Sequence, residues 1–333
     1  MRDKYLLSIC IPTYNRAPYL KKCLDSLVCQ PEFLQGNVEI VISDNASTDN
    51  TRDLVSLYQT KYENIIYHRN DTNMKVVNFA VVMQLGHGIL RKLGGDIRVY
   101  KKGSLKYFCD ISRKWKRIRP VIYFNNGDIR GKVQEEEEIT TMDRFLECAS
   151  FKLTWIDTFC LWEEDCKDLV TFAQKSQKIF WFVEKTLELM KQKGSAIFFN
   201  QRVIKYMAVK QKNVSYGIFD VFYNQFLGIC KSLLDEKIIT QRRFAYLEKD
   251  LLFGFFINSI LNWEINHDKF QYSKTENLKK TVWDQYQEKP YFQEFEAEYS
   301  RKFFWGKMKR RIKDVPIFGV ILVKMKHGIE RWG

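Results

Sequence analysis

The stretch that most restricts the fold is Val38 to Thr51, VEIVISDNASTDNT. Val38, Ile40 and Ile42 alternate, and Val41 adds an apolar position on the opposite face. The run then breaks into Ser, Asp and Asn. This pattern predicts a buried strand that ends in a polar loop. Past the loop, Leu54, Val55, Tyr58 and Tyr62 recur at helical spacing, with Asp49 or Ser47 placed to cap the helix start. In an open α/β sheet, a loop at the C-terminal end of a strand lines the ligand crevice. Asp44 is therefore either a turn residue or an acceptor of hydrogen bonds from a nucleotide base or ribose.

The same grammar recurs along the first third of the chain. Leu6 to Ile11 predicts a first strand, stopped by Pro12, Thr13, Tyr14, Asn15 and Arg16. Pro18 suits a first helical turn, after which Tyr19, Leu20, Cys23, Leu24 and Leu27 form one apolar face. Ile65 to His68 predicts a third strand, and Val76 to Leu85 an apolar helix ending at Gly86 and Gly88. Successive βα units argue for an α/β fold with a mostly parallel, Rossmann-like sheet whose loops gather on one edge. Farther on, Lys101 to Lys116 reads as a basic helix, Arg119 to Asn126 and Ala196 to Phe199 as strands, and Ile179 to Gln192 as a helix. The glutamates between Gln134 and Glu138 read as a solvated loop or helix face. From about Tyr216 onward the pattern is helical and rich in aromatics, a C-terminal helical appendage.

Charge narrows the partners. The chain of 333 residues carries a formal net charge of +14, which calls for an anionic partner. Ten Lys or Arg face two Asp or Glu between Arg301 and Gly333, so the excess is concentrated in that tail. No nucleic-acid motif accompanies it, and a nucleic-acid partner is excluded on that ground. The tail contains VPIFGVILV, Val315 to Val323, between Lys307, Lys309, Arg310, Arg311 and Lys313 on one side and Lys324 and Lys326 on the other. Trp305 and Trp332 lie near its ends. Nine apolar residues are too few to span a bilayer, which takes about 20, but enough to enter its interface. The expectation is an anionic membrane surface as partner, with the protein peripheral on the cytoplasmic, inner face. The competing expectation packs the run into the protein's own helical region.

Eight scattered cysteines lack the close spacing of a zinc site or small disulfide framework, and a reducing compartment is expected. Met1 leads almost at once into the first strand, which leaves no room for a signal peptide ahead of it. Four histidines, at 68, 87, 267 and 327, show no metal-ligand spacing.

LSICIPTYNRAPYLKKCLDSL followed by VEIVISDNASTDNT, and then GHGILRKLGGDIRVYKKGSL, resembles the opening of the family 2 glycosyltransferases in motif order and separation. The likeness is clear over residues 5 to 108, weaker to about 206, and beyond that is a general likeness to bacterial polysaccharide-assembly members. It implies a glycosyltransferase A-type fold. It also implies a nucleotide-sugar-binding half at 1–110, an acceptor-side half at 111–210 and a helical region at 211–333. Pro12 and Tyr14 would contact the nucleoside, Asn15 and Arg16 complete the loop, and Asp44 would bind the base. Asp96 takes the first place of the family's acidic metal motif, for Mg or Mn. Its third place, usually the carboxylate that holds the ion, is Arg98.

That departure matters because a departing diphosphate gathers negative charge, and unit charges about 4 Å apart interact by about 4 kcal/mol at an effective dielectric near 20. Either Asp96 alone holds a divalent metal, which then keeps its waters, or Arg98 supplies the charge, or Arg98 faces solvent. An inverting transfer also needs a carboxylate to take the acceptor's proton. Glu184 falls closest to the place the resemblance implies, and Asp157 is the competitor. Trp155 and Trp162 are expected in the core rather than against sugar rings. The resemblance implies an inverting glycosyltransferase that moves a sugar, by family habit from a uridine diphosphate donor, to a glycan or lipid-linked acceptor. The alternative is an impaired sugar-nucleotide-binding or scaffold protein of the same pathway.

Overall fold

The structure is a computed structural model and describes residues 5–129, 134–208, 216–266 and 277–314. Its strands are β1 (Leu7–Thr13), β2 (Val38–Asp44), β3 (Ile65–Arg69), β4 (Leu90–Leu93), β5 (Arg98–Tyr100), β6 (Val121–Phe124), β7 (Glu136–Ile139), β8 (Cys160–Trp162), β9 (Ala196–Phe199) and β10 (Ile204–Tyr206). The main sheet has the order β3-β2-β1-β4-β8, with β8 antiparallel and the other four strands parallel. All seven residues of both β1 and β2 are buried, as a parallel sheet covered on both faces requires. The helix Ala17–Val28 buries Leu20, Cys23, Leu24 and Leu27, the face its spacing predicts. Val76 and Val77 form a short 3₁₀ turn with Lys75 ahead of the helix Asn78–Leu85, so the apolar helix starts two residues later than its sequence suggests.

Register decides where the loops meet. Thr13 lies beside Asp44 and Asp44 beside Arg69, so β1, β2 and β3 end level. By contrast β4 stops at Leu93, opposite Cys10, which leaves a step beside the last three residues of β1. Gly94 N–H still donates to Cys10 O at 2.8 Å, and the chain then runs along Ile11–Thr13 to Asp96.

A second sheet, β6-β9-β7, pairs β6 parallel and β7 antiparallel to β9. Glu136 to Ile139 is thus an edge strand and not the solvated loop or helix face expected from its glutamates. Charged side chains suit an edge, since they discourage further strand pairing. Glu136 pairs with Lys114 at 2.6 Å and Glu137 with Arg144 at 3.1 Å. β5 and β10 form a two-stranded antiparallel ribbon that sets Arg98 opposite Tyr206. Trp162 is fully buried, its indole N–H donating to Pro120 O at 2.6 Å, and Trp155 is half-buried.

The chain divides into two compact units, 1–210 with 228–244, and 211–227 with 245–333. The described part of the second unit is helical, with Ile257–Asn266, Leu278–Tyr286 and Phe292–Asp314 as its regular helices. Stacked and edge-on rings fill it, including Phe222 on Phe255 and Trp283 on Phe295 and Tyr299. Buried Glu248 accepts from Tyr223, Lys289 and Tyr291. No described helix is long and apolar enough to cross a membrane. The expected membrane-binding run Val315 to Val323 lies outside the described residues. All eight cysteines are free thiols, and only Cys29 is exposed.

Candidate active site

Two loop systems meet at the C-terminal edge of the main sheet. The first joins the ends of β1 and β2. Asn15 takes a left-handed conformation, φ 51°, which Asn tolerates better than most residues. Its side-chain oxygen then accepts from Thr48 N at 2.7 Å and Asp49 N at 3.3 Å, while its own N–H donates to Ser47 Oγ at 2.9 Å. Of the two capping candidates, Asp49 performs the task, and for two helices. One oxygen accepts from Thr51 N and the other from Ala17 N, at 3.1 and 3.0 Å. Asp44 is completely buried beneath this clasp: Ser47 N and the Tyr67 hydroxyl donate to its two oxygens at 2.8 and 2.7 Å, and Arg69 stands 3.7 Å away. Burial and this carboxylate raise the Tyr67 pKa. Pro12 is buried within β1, whereas Tyr14 is 44% exposed at the loop surface.

The second system follows β4. Two glycines precede Asp96 for steric reasons. A Cβ on Gly94 would lie 2.3 Å from the Tyr100 hydroxyl, and one on Gly95 would press on the Arg98 guanidinium at 3.3 Å. Asp96 is 3% exposed and accepts from Thr13 Oγ1 at 2.9 Å on one oxygen and from Arg16 Nη1 at 3.2 Å on the other. Burial raises its pKa, and Arg16 with Thr13 opposes that rise. Arg98 does not face solvent. Its Nε and Nη2 both donate to Asp157 Oδ2, at 2.7 and 2.6 Å, and its Cζ lies over the Tyr206 ring, 4.4 Å from the ring centre. Asp157 Oδ1 is buried without a hydrogen-bond partner among the described residues.

Behind this pair sits Lys92, on the central strand β4 and fully buried. Its ammonium donates to Asp157 O at 2.5 Å and lies over the Phe124 ring at 4.8 Å. A buried ammonium is costly unless hydrogen-bonded, and aromatic faces offset part of that cost. Lys92 therefore fixes the backbone of the Asp157 turn.

The structure thus brings Thr13, Arg16, Asp96, Arg98 and Asp157 to one strand edge. Glu184 is placed elsewhere: it pairs with Lys178 at 2.9 Å, accepts from Ser176 at 2.5 Å, and faces a cavity lined by Phe172, Leu187, Lys191 and Leu233. Sequence reading passed over Lys92, Thr13 and Tyr206. A cation inside LRKL, where a central strand should be apolar, was the available signal for the first.

Each Asp96 oxygen already accepts from a protein donor, Oδ2 from Thr13 and Oδ1 from Arg16, so a divalent ion there would share its one carboxylate with a guanidinium. Among the described residues, no three His, Cys, Asp or Glu side chains are grouped to hold a metal.

A mostly parallel sheet with an antiparallel edge strand, and an acidic step at the end of β4, defines the glycosyltransferase A-type fold. A solved structure of S. aureus TarS 1–349 in complex with UDP-GlcNAc superimposes with a TM-score of 0.52 at 18% identity, covering 92% of this chain and 91% of that one. The model of glycosyl transferase family 2 matches residues 8–81. An uncharacterized glycosyltransferase of Mycoplasma pneumoniae, the MG025 homolog, is 41% identical over 206 residues, covering 55% of this chain and 67% of that protein. The abequosyltransferase RfbV of Salmonella typhimurium is 44% identical over 150 residues, covering 37% of this chain. That alignment spans 45% of the abequosyltransferase's length. The chain belongs to glycosyl transferase family 2.

Proposed function

We propose that this protein transfers a sugar, with inversion, from a uridine diphosphate donor to a hydroxyl of a glycan or lipid-linked acceptor in cell-surface polysaccharide assembly. The observation that carries the reading is the cluster of Asp96, Arg16, Arg98 and Asp157 at the step where β4 ends short of β1. Open α/β sheets bind ligands at such strand ends. The nucleoside lies against Pro12, Tyr14 and the Asn15–Ser47 clasp, with Asp44 buried beneath it. Uridine is favoured by the uridine nucleotide held in the TarS complex.

In the transfer, the acceptor oxygen bonds to the anomeric carbon as the bond from that carbon to the phosphate oxygen breaks. The diphosphate leaves with the electron pair, and the acceptor proton passes to a carboxylate. Asp157 is the better placed of the two candidates, because it stands in the cluster and its Oδ1 is uncommitted. Glu184 is tied to Lys178 and Ser176 outside it.

The acceptor is presented at a membrane surface on the cytoplasmic side. Phe304, Trp305 and Met308 are exposed on the helix Phe292–Asp314, among Arg301, Lys307 and Lys309, just ahead of the apolar run Val315 to Val323. Aromatic and basic side chains together favour an anionic lipid interface.

Incubation with a panel of radiolabelled nucleotide sugars tests the reading. Release of nucleotide from a uridine diphosphate sugar, accelerated by a lipid-linked acceptor, is expected. Binding of the donor without any release would show an impaired, scaffold-type protein instead.

A further inference from the structure

Resting on the reading of the β4 edge as the diphosphate site, we infer that the donor's phosphates are met by two guanidinium groups, Arg16 and Arg98, in place of a divalent cation. A magnesium-type ion needs open oxygen ligands in near-octahedral geometry, usually from one or two carboxylates besides the phosphates. Thr13 donates to Asp96 Oδ2 and Arg16 to Oδ1, so an ion at Asp96 would share that carboxylate with a guanidinium that already balances its charge. Asp157 offers one uncommitted oxygen, and Arg98 occupies the other. The position where a second carboxylate would complete the acidic motif is itself a cation.

The two arginines are built in the same way. Each is anchored along one part of its guanidinium by a buried carboxylate and keeps other nitrogens uncommitted. Arg16 gives Nη1 to Asp96 and leaves Nε and Nη2 without a partner among the described residues, on a side chain 39% exposed. Arg98 gives Nε and Nη2 to Asp157, lies between the Gly95 backbone and the Tyr206 ring, and leaves Nη1 uncommitted. A planar fork with free N–H groups matches phosphate oxygens, and it cannot lose its charge at any working pH. Asp96 acts on the phosphates through Arg16, as a positioning residue, while Asp157 holds Arg98 with Oδ2 and keeps Oδ1 for the acceptor proton. Lys92, fixed to the Asp157 carbonyl, adds a third basic group behind two carboxyls. The cluster therefore receives an anion without an added ion.

Calorimetric titration of the full chain with UDP, GDP, dTDP and CDP, first in EDTA and then in excess manganese, tests this. At least one nucleotide should bind in EDTA, with an affinity that manganese changes by no more than about threefold. Arg16→Ala should weaken that binding roughly 10- to 100-fold, the cost of a lost charged hydrogen bond, and manganese should not restore it. Arg98→Lys, which keeps the charge but not the fork, should weaken it less than Arg98→Ala. Should Arg98→Ala fail to fold, Arg16→Ala and the wild-type comparison still decide. Binding that requires manganese, or an Arg16→Ala protein that binds like wild type, overturns the inference and leaves the transfer reading standing. No binding of any nucleotide in either condition removes both.

Discussion

The clasp after β1 and β2 and the cluster after β4 are neighbours on one sheet edge, yet they are held by different forces. The clasp uses side-chain oxygens on backbone N–H groups: Asn15 on Thr48 and Asp49, Asp49 on Ala17 and Thr51, Asp44 on Ser47. Such bonds need no ligand to complete them. The cluster uses carboxylate–guanidinium pairs, Asp96 with Arg16 and Asp157 with Arg98, whose partners an incoming phosphate can share. The clasp is thus complete without a ligand, whereas the cluster keeps N–H groups that the proposed donor's phosphates would take. Substitutions in the clasp should therefore change stability first, and substitutions in the cluster should change chemistry first.

The largest effect expected is on turnover. Asp157→Asn should slow nucleotide release at saturating donor by roughly 100- to 10,000-fold, the range for losing a general base. Glu184→Gln should remain within about twofold of wild type, because its ion pair with Lys178 lies outside the cluster. The reverse result would return the base to Glu184. Lys92→Ala bridges the two halves of the comparison: it empties a buried site and orphans the Asp157 carbonyl, and should cost about 2–5 kcal/mol in urea unfolding. Its surviving folded fraction should also show weakened nucleotide binding, since Arg98 loses its fixed anchor.

Asp49→Ala should cost less, about 1–2 kcal/mol, because it uncaps two helix starts. Nucleotide affinity per folded molecule should then fall by less than in Arg16→Ala; an equal fall would show that the clasp and the cluster are not separable. The smallest stability change, within about 0.5 kcal/mol, is expected for Phe304→Ala with Trp305→Ala, as both side chains are exposed. That double variant should nevertheless float less with anionic liposomes than wild type. Equal flotation would remove these rings from the membrane contact.

The clasp was largely legible in the sequence because its rules are local. Largely apolar runs that break into polar loop residues announce strand, loop and cap within a few residues, and the structure forms β1, β2 and the Asp49 cap accordingly. The cluster was only half legible. Asp96 and Arg98 stand in a recognisable motif, but the partner of Arg98 lies 59 residues on, at Asp157, and no periodicity links them. The burial of Lys92 runs against its polarity and depends on Phe124 and on a carbonyl contributed 65 residues later. The glutamates of β7 mislead for a related reason: their exposure comes from an edge position, which pairing decides and composition does not. Glu184 stands closest to the place the resemblance implies, and only the fold shows its carboxylate engaged with Ser176 and Lys178.

Where the diphosphate binds decides whether the two arginines replace a metal ion. A crystal structure of the full chain with UDP, or with whichever nucleoside diphosphate the calorimetry selects, grown in EDTA, gives the answer. The account predicts phosphate oxygens within hydrogen-bond distance of Arg16 and Arg98 at the end of β4, and the nucleoside against Tyr14 and the Asn15 clasp. Phosphates seated away from both arginines, in the cavity that Glu184 faces for example, would contradict it.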